Sequence, residues 1–194
     1  MIAIINYNAG NIASVQNALN RLGYNSIITD NPSEILAADK VIFPGVGEAS
    51  SAMSFLNERG LDKVITSIEN PMLGICLGLQ LMCSFSEEGN TKCLGIFKEK
   101  VKLFPPEKKV PHMGWNSFSN ITGRLFNGVE MDDDAYYVHS YYAEVGEDTI
   151  AECDYIKKFS SAMQKNNFYA TQFHPEKSAG LGEQILKNFL ELWD

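Results

Sequence analysis

The sequence lacks an excess of positive charge. Its 194 residues carry 16 Lys and Arg against 24 Asp and Glu, which gives a formal net charge of −8 at pH 7. Nucleic-acid binding depends on a basic surface that neutralises phosphates. The longest basic cluster is the pair Lys108-Lys109, which fits a solvated loop. The composition therefore argues against nucleic acid as a partner.

Long hydrophobic runs are also missing. No apolar stretch approaches the roughly 18 to 20 residues that a membrane-spanning helix needs. The N-terminal MIAIINYNAG has neither the basic segment nor the long apolar segment of a secretory signal, and it predicts a first strand instead. We expect no membrane role and a location in the cytoplasm.

Cysteine is sparse and unpaired in its spacing. The four cysteines, at positions 76, 83, 93 and 153, form no C-x-x-C pair, so neither a metal site nor a disulfide scaffold is expected. The acidic run 132–134 has no ligand pattern around it and fits a solvated turn. The sequence predicts no metal and no cofactor.

Apolar runs alternate with helical patterns in the first half of the chain. The runs, which predict strands, are IAIIN (2–6), YNSII (24–28), KVIFPG (40–45) and PMLGIC (71–76). Helical spacing is seen in residues 12–22, in 51–68 with a break near Gly60, and in 77–85. Strand–helix alternation predicts an α/β fold, a mostly parallel sheet flanked by helices.

The second half has a different composition. Residues 95–118 and 135–173 are rich in Val, Phe, Tyr and Thr and predict an antiparallel region added to the sheet. An amphipathic helix closes the chain, with apolar positions at Ile185, Leu186, Phe189, Leu190 and Trp193. The length suits a single domain over 1–194.

Cys76 lies in GICLGLQ (74–80), where a predicted strand ends and a predicted helix begins. A sharp turn there would expose the thiol at the carboxyl end of the sheet, as in a nucleophile elbow. The helix N-terminus would favour the thiolate. The alternative is an inert buried cysteine, which is the commoner state of a free cysteine.

TQFHPEKS (171–178) supplies a base and an orienting acid. At strand spacing His174 and Glu176 share a face, so Glu176 could hold the imidazole while it faces Cys76. The alternative is a casual ion pair at a strand end. His112 and His139 lack a carboxylate at this spacing; they fit a surface histidine and a pocket wall.

FPGVGEA (43–49) is a candidate for the oxyanion site. Glycines permit unusual φ angles and close backbone approach, and acyl transfer needs N–H donors aimed at the developing oxyanion. A backbone turn here, with the N–H of Leu77, would serve. The alternative is an ordinary turn between a strand and a helix.

Seven stretches together carry a resemblance to a known family. They are YNAGNIASVQNAL (7–19), FPGVGEA (43–49), GICLGLQLM (74–82), SEEG (86–89), KVPHMGWN (109–116), YYVHSYY (136–142) and TQFHPEKSAGLG (171–182). With them the chain resembles the class I glutamine amidotransferases, which have a flavodoxin-like fold. More narrowly, it is similar to the glutaminase subunits of imidazole glycerol phosphate synthase, a lyase complex of histidine biosynthesis.

The resemblance implies a Cys-His-Glu triad for the hydrolysis of glutamine to glutamate and ammonia. Cys76 would attack the side-chain amide, His174 would be general base and then general acid, and Glu176 would orient it. The oxyanion hole would use Gly45, Val46, Gly47 and Leu77. The implied glutamine-binding residues are Gly47, Gln80, His139, Ser140 and Tyr141.

The implied partner is a TIM-barrel cyclase subunit, which would form a heterodimer with this chain and receive its ammonia. The implied interface residues are Tyr7, Asn8, Asn11, His112, Met113, Trp115, Asn116 and Tyr136. Ala13 and Glu48-Ala49 depart from the usual family pattern near surfaces that could face the partner. A paralogous glutaminase feeding a sugar amidotransferase, a non-catalytic adaptor and a thiol peptidase remain alternatives.

Overall fold

The computed structural model describes residues 1–7 and 10–192. Its strands are β1 (Ile2–Ile5), β2 (Ser26–Thr29), β3 (Lys40–Phe43), β4 (Met72–Ile75), β5 (Phe85–Ser86), β6 (Thr91–Lys92), β7 (Lys100–Leu103), β8 (His112–Asn116), β9 (Asn120–Ile121), β10 (Ala135–His139), β11 (Tyr141–Ala143), β12 (Thr149–Asp154), β13 (Lys158–Lys165) and β14 (Phe168–Thr171). Its α-helices are α1 (Ile12–Arg21), α2 (Pro32–Ala37), α3 (Ala49–Glu58), α4 (Leu61–Thr66), α5 (Leu77–Met82) and α6 (Ala179–Leu190).

An eight-stranded sheet forms the centre of the fold, in the order β2-β1-β3-β4-β14-β13-β12-β9. The neighbours from β2 to β14 are parallel, and those from β14 to β9 are antiparallel. Every residue of β1, β3, β4 and β14 is buried, because helices cover both faces of a parallel sheet. The predicted α/β class, with its mostly parallel sheet, is confirmed.

The predicted antiparallel region is only partly added to that sheet. Strands β9, β12 and β13 join it, whereas the others form two small sheets, β11-β7-β5-β6 and β10-β8. Within the first of these, β5 and β7 pair in parallel. Local strand patterns did not distinguish these partners, because pairing depends on contacts between distant segments of the chain.

Local sequence signals account for some of the helix boundaries. The predicted break near Gly60 is confirmed: Gly60 has φ 68° and separates α3 from α4, a conformation that glycine adopts at no steric cost. Helix α2 was not predicted. It has six residues, begins with Pro32 and is capped by the Asn31 side chain, which accepts from the Ser33 N–H. Strand β2 begins two residues later than predicted.

The C-terminal helix α6 buries the predicted apolar positions Ile185, Leu186, Phe189 and Leu190; the fifth, Trp193, lies outside the described residues. Within residues 1–7 and 10–192, no helix has the length and apolar character needed to span a bilayer.

The parallel strands place four connections at one edge of the sheet. The segments that follow β1, β3, β4 and β14 all leave at the carboxyl ends of these strands. In the order β2-β1-β3-β4-β14 the direction of winding reverses between β1 and β3, and ligands bind at such a reversal. The predicted triad and oxyanion residues follow β3, β4 and β14, whereas the predicted substrate-binding stretch His139–Tyr141 comes from β10 and β11 of the two small sheets.

Candidate active site

Cys76 lies at a sharp turn between β4 and α5. Its backbone has φ 53° and ψ −105°, a region that non-glycine residues occupy at a cost of about 1 to 3 kcal/mol. Two hydrogen bonds hold the turn: the Cys76 N–H donates to the Thr171 carbonyl at 2.7 Å, and its carbonyl accepts from the Gln80 N–H at 3.2 Å. The observed geometry is that expected of an elbow.

Two glycines allow this turn to pack against the sheet. A Cβ atom on Gly78 would lie 2.0 Å from the Phe43 carbonyl oxygen, and one on Gly74 would lie 2.5 Å from the Met82 sulfur. Helix α5 therefore crosses the end of β3 at a separation that only glycine permits. This close approach brings Cys76 beside the segment that follows β3.

His174 and Glu176 form a buried pair. Nδ1 of His174 lies 2.7 Å from Oε1 of Glu176, and the same oxygen accepts from the Asn11 side-chain amide at 2.5 Å. The expected strand spacing is wrong: His174 is extended, but Glu176 lies in a 3₁₀ turn over Pro175–Lys177. The turn brings the carboxylate back to the ring, and Asn11 was not predicted to contact it.

The electrostatics favour an ionised pair. Burial alone would lower the pKa of His174, but hydrogen bonds and charge interactions with Cys76 and Glu176 outweigh it and raise the pKa to about 9. Burial would raise the pKa of Glu176, but its hydrogen bond and charge interaction with His174 lower it. Because Nδ1 is hydrogen-bonded to Glu176, Nε2 is the ring atom that can interact with Cys76. Nε2 is buried and has no hydrogen-bond partner of standard geometry among the described residues. An imidazolium at neutral pH can therefore face the sulfur.

The segment after β3 lies directly over the elbow. The Leu77 N–H donates to the Gly45 carbonyl at 3.3 Å, and the Gly10 N–H donates to the Val46 carbonyl at 3.3 Å. Gly47 has φ 142°. The four residues predicted for the oxyanion hole are thus brought together, with a carbonyl oxygen rather than a second N–H facing Leu77.

A cavity of about 280 Å³ opens beside the sulfur. All five predicted glutamine-binding residues line it together with Cys76: Gly47, Gln80, His139, Ser140 and Tyr141. Glu88, Pro111 and Val138 also line it and were not predicted. Glu88 accepts from the Ala49 N–H at 2.8 Å, and burial raises its pKa. Glu88 belongs to the stretch SEEG (86–89). The sequence signal that could have indicated it is the pair of acidic residues in this connecting segment.

The residues predicted for the partner interface differ in their exposure. Met113 and Trp115 are 58% and 54% exposed, whereas Tyr7 and His112 are buried. Asn11, Asn116 and Tyr136 are partly exposed, and Asn8 lies outside the described residues. Alternation along β8 explains the burial of His112, so the expectation of a surface histidine is wrong. Tyr7 and His112 can affect a partner face only through the residues that cover them.

This arrangement has the parts of an amide-hydrolysing thiol enzyme. Comparison with known families gives the class: residues 3–193 match the family model "Glutamine amidotransferase class-I". The chain belongs to the class I glutamine amidotransferases.

Sequence relatives narrow the class. The chain is 59% identical to "Imidazole glycerol phosphate synthase subunit HisH" of Bacteroides fragilis (strain YCH46), covering 98% of this chain and 99% of that protein. It is 53% identical to the protein of the same name from Bacteroides thetaiotaomicron, with the same coverage, and 46% identical to that of Vibrio cholerae, covering 98% of each. Within its class the chain belongs to the HisH family.

Solved structures agree on the fold. A crystal structure described as a glutamine amidotransferase matches with a TM-score of 0.76 at 16% identity, covering 98% of both chains. A putative GMP synthase protein from Thermoplasma acidophilum matches with a TM-score of 0.74 at 21% identity, covering 98% of this chain and 92% of that one.

Proposed function

We propose that the chain is the glutaminase subunit of imidazole glycerol phosphate synthase and acts in histidine biosynthesis in the cytoplasm. It hydrolyses the side-chain amide of glutamine to glutamate and ammonia. The observation that carries the proposal is the meeting of a strained cysteine elbow with a buried His174–Glu176 pair 2.7 Å apart beside one cavity.

The proposed reaction passes through a thioester. The Cys76 thiolate attacks the amide carbon, and the carbonyl electrons move to the oxygen to give a tetrahedral oxyanion. The oxyanion collapses, the C–N bond breaks, and the His174 imidazolium gives its proton to the leaving nitrogen, which departs as ammonia. Neutral His174 then takes a proton from water, and the hydroxide attacks the thioester. Breaking of the C–S bond releases glutamate and restores the thiolate.

Glu176 has an orienting role in this scheme. It holds Nδ1 of His174, which leaves Nε2 to exchange the proton with sulfur, ammonia and water. Its charge also stabilises the imidazolium, consistent with the raised pKa of His174.

The cavity supplies complementary groups for an amino acid substrate. The Glu88 carboxylate suits the α-ammonium group of glutamine, because an opposite charge in a partly buried site gives a strong hydrogen bond. Gly47 and the residues His139–Tyr141 form part of the remaining wall. A cavity of about 280 Å³ fits one small substrate.

The proposed partner is a TIM-barrel cyclase subunit in a heterodimer, which accepts the ammonia. The exposed Met113 and Trp115, with Tyr136 packed against Trp115 at 5.7 Å between ring centroids, support an interface here, because aromatic residues and Met are enriched at interface cores. This surface connects to the site: the Tyr136 carbonyl accepts from the His174 N–H at 3.0 Å. A partner seated on Tyr136 would press on the backbone of His174.

Glutamate release from glutamine tests the activity, with the chain alone and with a histidine-pathway cyclase. We expect hydrolysis by the wild type and none above background for Cys76→Ser and Cys76→Ala. Wild-type rates in either variant would refute the thioester route.

Partner identity needs a separate measurement. Co-purification and stimulation by the cyclase are expected, and neither is expected with a sugar amidotransferase. Stimulation by the sugar enzyme alone would support that alternative instead, and absence of hydrolysis under all conditions would support an adaptor.

A further inference from the structure

The side chain of Gln80 has only one possible orientation. Its Nε2 lies 3.0 Å from the Tyr141 carbonyl oxygen and 3.0 Å from Oε1 of Gln172. A backbone carbonyl can only accept a hydrogen bond, so the atom facing Tyr141 must be the amide nitrogen. Both N–H groups of Gln80 are therefore used, one on Tyr141 and one on Gln172.

Gln80 in turn fixes the side chain of Gln172. Because Gln80 donates to it, the oxygen of the Gln172 amide faces Gln80, and its nitrogen faces the other way. Nε2 of Gln172 lies 3.6 Å from Sγ of Cys76 and donates to it. Gln172 is fully buried. Its backbone N–H donates to the Ser161 carbonyl at 2.8 Å, so the backbone that carries this side chain is held as well.

We propose that Gln172 is a further residue of the active site, whose side-chain N–H stabilises the thiolate of Cys76 and is kept aimed at the sulfur by Gln80. The inference builds on the proposed role of Cys76 as the nucleophile. It adds a neutral donor that does not titrate, in contrast to the donor His174.

A second series of hydrogen bonds holds the Tyr141 carbonyl. His139 donates from Nδ1 to this carbonyl at 2.7 Å, and burial lowers its pKa to about 3, so its Nε2 is an acceptor at neutral pH. Nδ1 of His112, 3.1 Å away, must then be the donor. Burial lowers the pKa of His112 to about 4, and its Nε2 accepts from the Asn116 amide at 3.3 Å.

The Tyr141 carbonyl oxygen fixes the direction of these hydrogen bonds, because it can only accept and both Gln80 and His139 contact it. Tyr141 receives hydrogen bonds from both His139 and Gln80, which fills the two lone pairs of its oxygen. A turned Gln80 would put its oxygen against the Tyr141 oxygen and leave Gln172 without a donor. Such a defect would leave buried polar groups without hydrogen bonds, which is destabilising, so the network favours the orientation in which Gln172 donates to sulfur.

Among the described residues, four groups from three segments of the chain interact with the sulfur. They are the His174 ring, which interacts with it, the Tyr7 hydroxyl, close enough for a charge interaction, the Val138 carbonyl at 4.0 Å, and Gln172. His174 is the cationic one, and an opposite charge close to the sulfur favours the thiolate. The contribution of Gln172 to thiolate stabilisation should therefore be measured by changing Gln172 alone, in variants that all retain His174.

The test is the pH dependence of Cys76 alkylation by iodoacetamide, followed on the peptide that contains Cys76 by mass spectrometry. Since Gln172→Met removes a hydrogen bond to a charged group, it should raise the midpoint of the pH profile by about one pH unit, which lowers the alkylation rate about tenfold at pH values below the midpoint. Gln172→Glu should lower the rate further, since its carboxylate offers no donor and repels the thiolate. Gln80→Met, which frees the Gln172 amide to turn, should give a smaller change in the same direction.

Gln184→Met is the matched control, because Gln184 is also a hydrogen-bonded glutamine, with Asn188 on helix α6 as its partner. Alkylation of Cys76 in this variant should have the same pH profile as in the wild type. If Gln172→Met does not fold, the wild type still gives an answer. The side-chain amide resonance of Gln172, in ¹⁵N-labelled protein, should shift as Cys76 titrates and should not shift in Cys76→Ser.

An unchanged alkylation midpoint in folded Gln172→Met, or an amide resonance insensitive to the thiol, would overturn the inference. Both readouts are independent of glutamine turnover. If the glutaminase assay failed while the alkylation midpoint moved, the proposed function would be wrong and the role of Gln172 at the thiol would stand.

Discussion

The backbone N–H of Leu77 donates to the carbonyl oxygen of Gly45, with 3.3 Å between nitrogen and oxygen. Leu77 follows the proposed nucleophile, and its N–H is the donor best placed for an oxyanion on a carbon bound to Cys76. In this structure the Leu77 N–H is already hydrogen-bonded to the Gly45 carbonyl oxygen. The Gly45–Val46 peptide would have to turn over to release it and to offer a second N–H.

We expect the isolated chain to be a poor glutaminase for this reason. One oxyanion donor contributes about 2.7 to 4 kcal/mol, or about 10²- to 10³-fold in kcat. A partner that turns the peptide should therefore raise kcat by a comparable factor, measured as glutamate release with and without the cyclase. Alkylation of Cys76 needs no oxyanion hole and serves as the control. Equal turnover with and without the partner would contradict this expectation.

Tyr7 and Gly45 form a pair that can be tested by relief of a clash. The Tyr7 hydroxyl is buried with no hydrogen-bond partner among the described residues, and a Cβ atom on Gly45 would lie 2.0 Å from it. Gly45→Ala should destabilise the protein and lower glutaminase activity. Tyr7→Phe removes an unsatisfied hydroxyl and should be neutral or stabilising by about 1 kcal/mol. In the double variant, the phenyl ring should relieve part of the Gly45→Ala cost.

Urea unfolding of the four proteins gives the coupling energy of this pair. Gly180→Ala is the matched control, because an added Cβ there meets no atom within 4 Å and alanine is the better helix former. Additive effects of Tyr7→Phe and Gly45→Ala would show that the two side chains do not clash.

The sequence was sufficient for the parts of the fold that depend on local patterns. Strands β1, β3 and β4 are short apolar runs between turn signals, and the glycine at position 60 marks the break between two helices. Pairing in the second half was not predictable in the same way. Whether β7 joins the central sheet or a small one depends on contacts with β5 and β11, which no local pattern encodes.

The residues of the site divide in the same way into those that local sequence patterns indicate and those that only tertiary contacts reveal. Cys76, His174 and Glu176 stand out because a thiol, an imidazole and a carboxylate occur at the ends of predicted strands. Gln172 and Asn11 do not, because a neutral amide has no chemistry of its own and acquires a role only from its neighbours. The burial of Tyr7 and His112 follows from which face of each segment meets the core, and tertiary packing decides that.

Glu176 should be needed for turnover and not for substrate binding. Glu176→Gln keeps the size of the side chain but removes the charge beside Nδ1 of His174, at 2.7 Å in the wild type. By comparison with the orienting acid of other triads, kcat should fall by about 10²- to 10⁴-fold, with KM little changed. Glu176→Asp keeps the charge and should retain more activity than Glu176→Gln. A loss confined to KM would place Glu176 in the substrate site instead of the triad.

The three histidines of the chain should make different contributions to stability in acid. Burial lowers the pKa of His112 to about 4 and that of His139 to about 3, from an ordinary value of 6.5. Between pH 6.5 and those values the unfolded chain binds more protons than the folded one, so the free energy of unfolding falls as the pH falls. Each histidine can contribute up to about 1.4 kcal/mol per pH unit. The stability that the two neutral rings provide is fully present above pH 6.5 and is lost toward pH 4 for His112 and toward pH 3 for His139.

Urea unfolding between pH 7 and pH 5, at constant ionic strength, measures this slope above the range in which most carboxylates titrate. The double variant His112→Gln/His139→Gln should have a flatter profile than the wild type, whatever its absolute stability. His174→Gln is the control: the pKa of His174 is raised to about 9, so its stabilising effect is fully present in acid and decreases as the pH rises above about 6. Its removal should therefore leave the slope unchanged near pH 5, steepen it toward pH 7 and flatten it nowhere. A wild-type profile that stayed level from pH 6.5 to 5, or one that His174→Gln flattened, would show that His112 and His139 are not the groups held neutral in the folded chain.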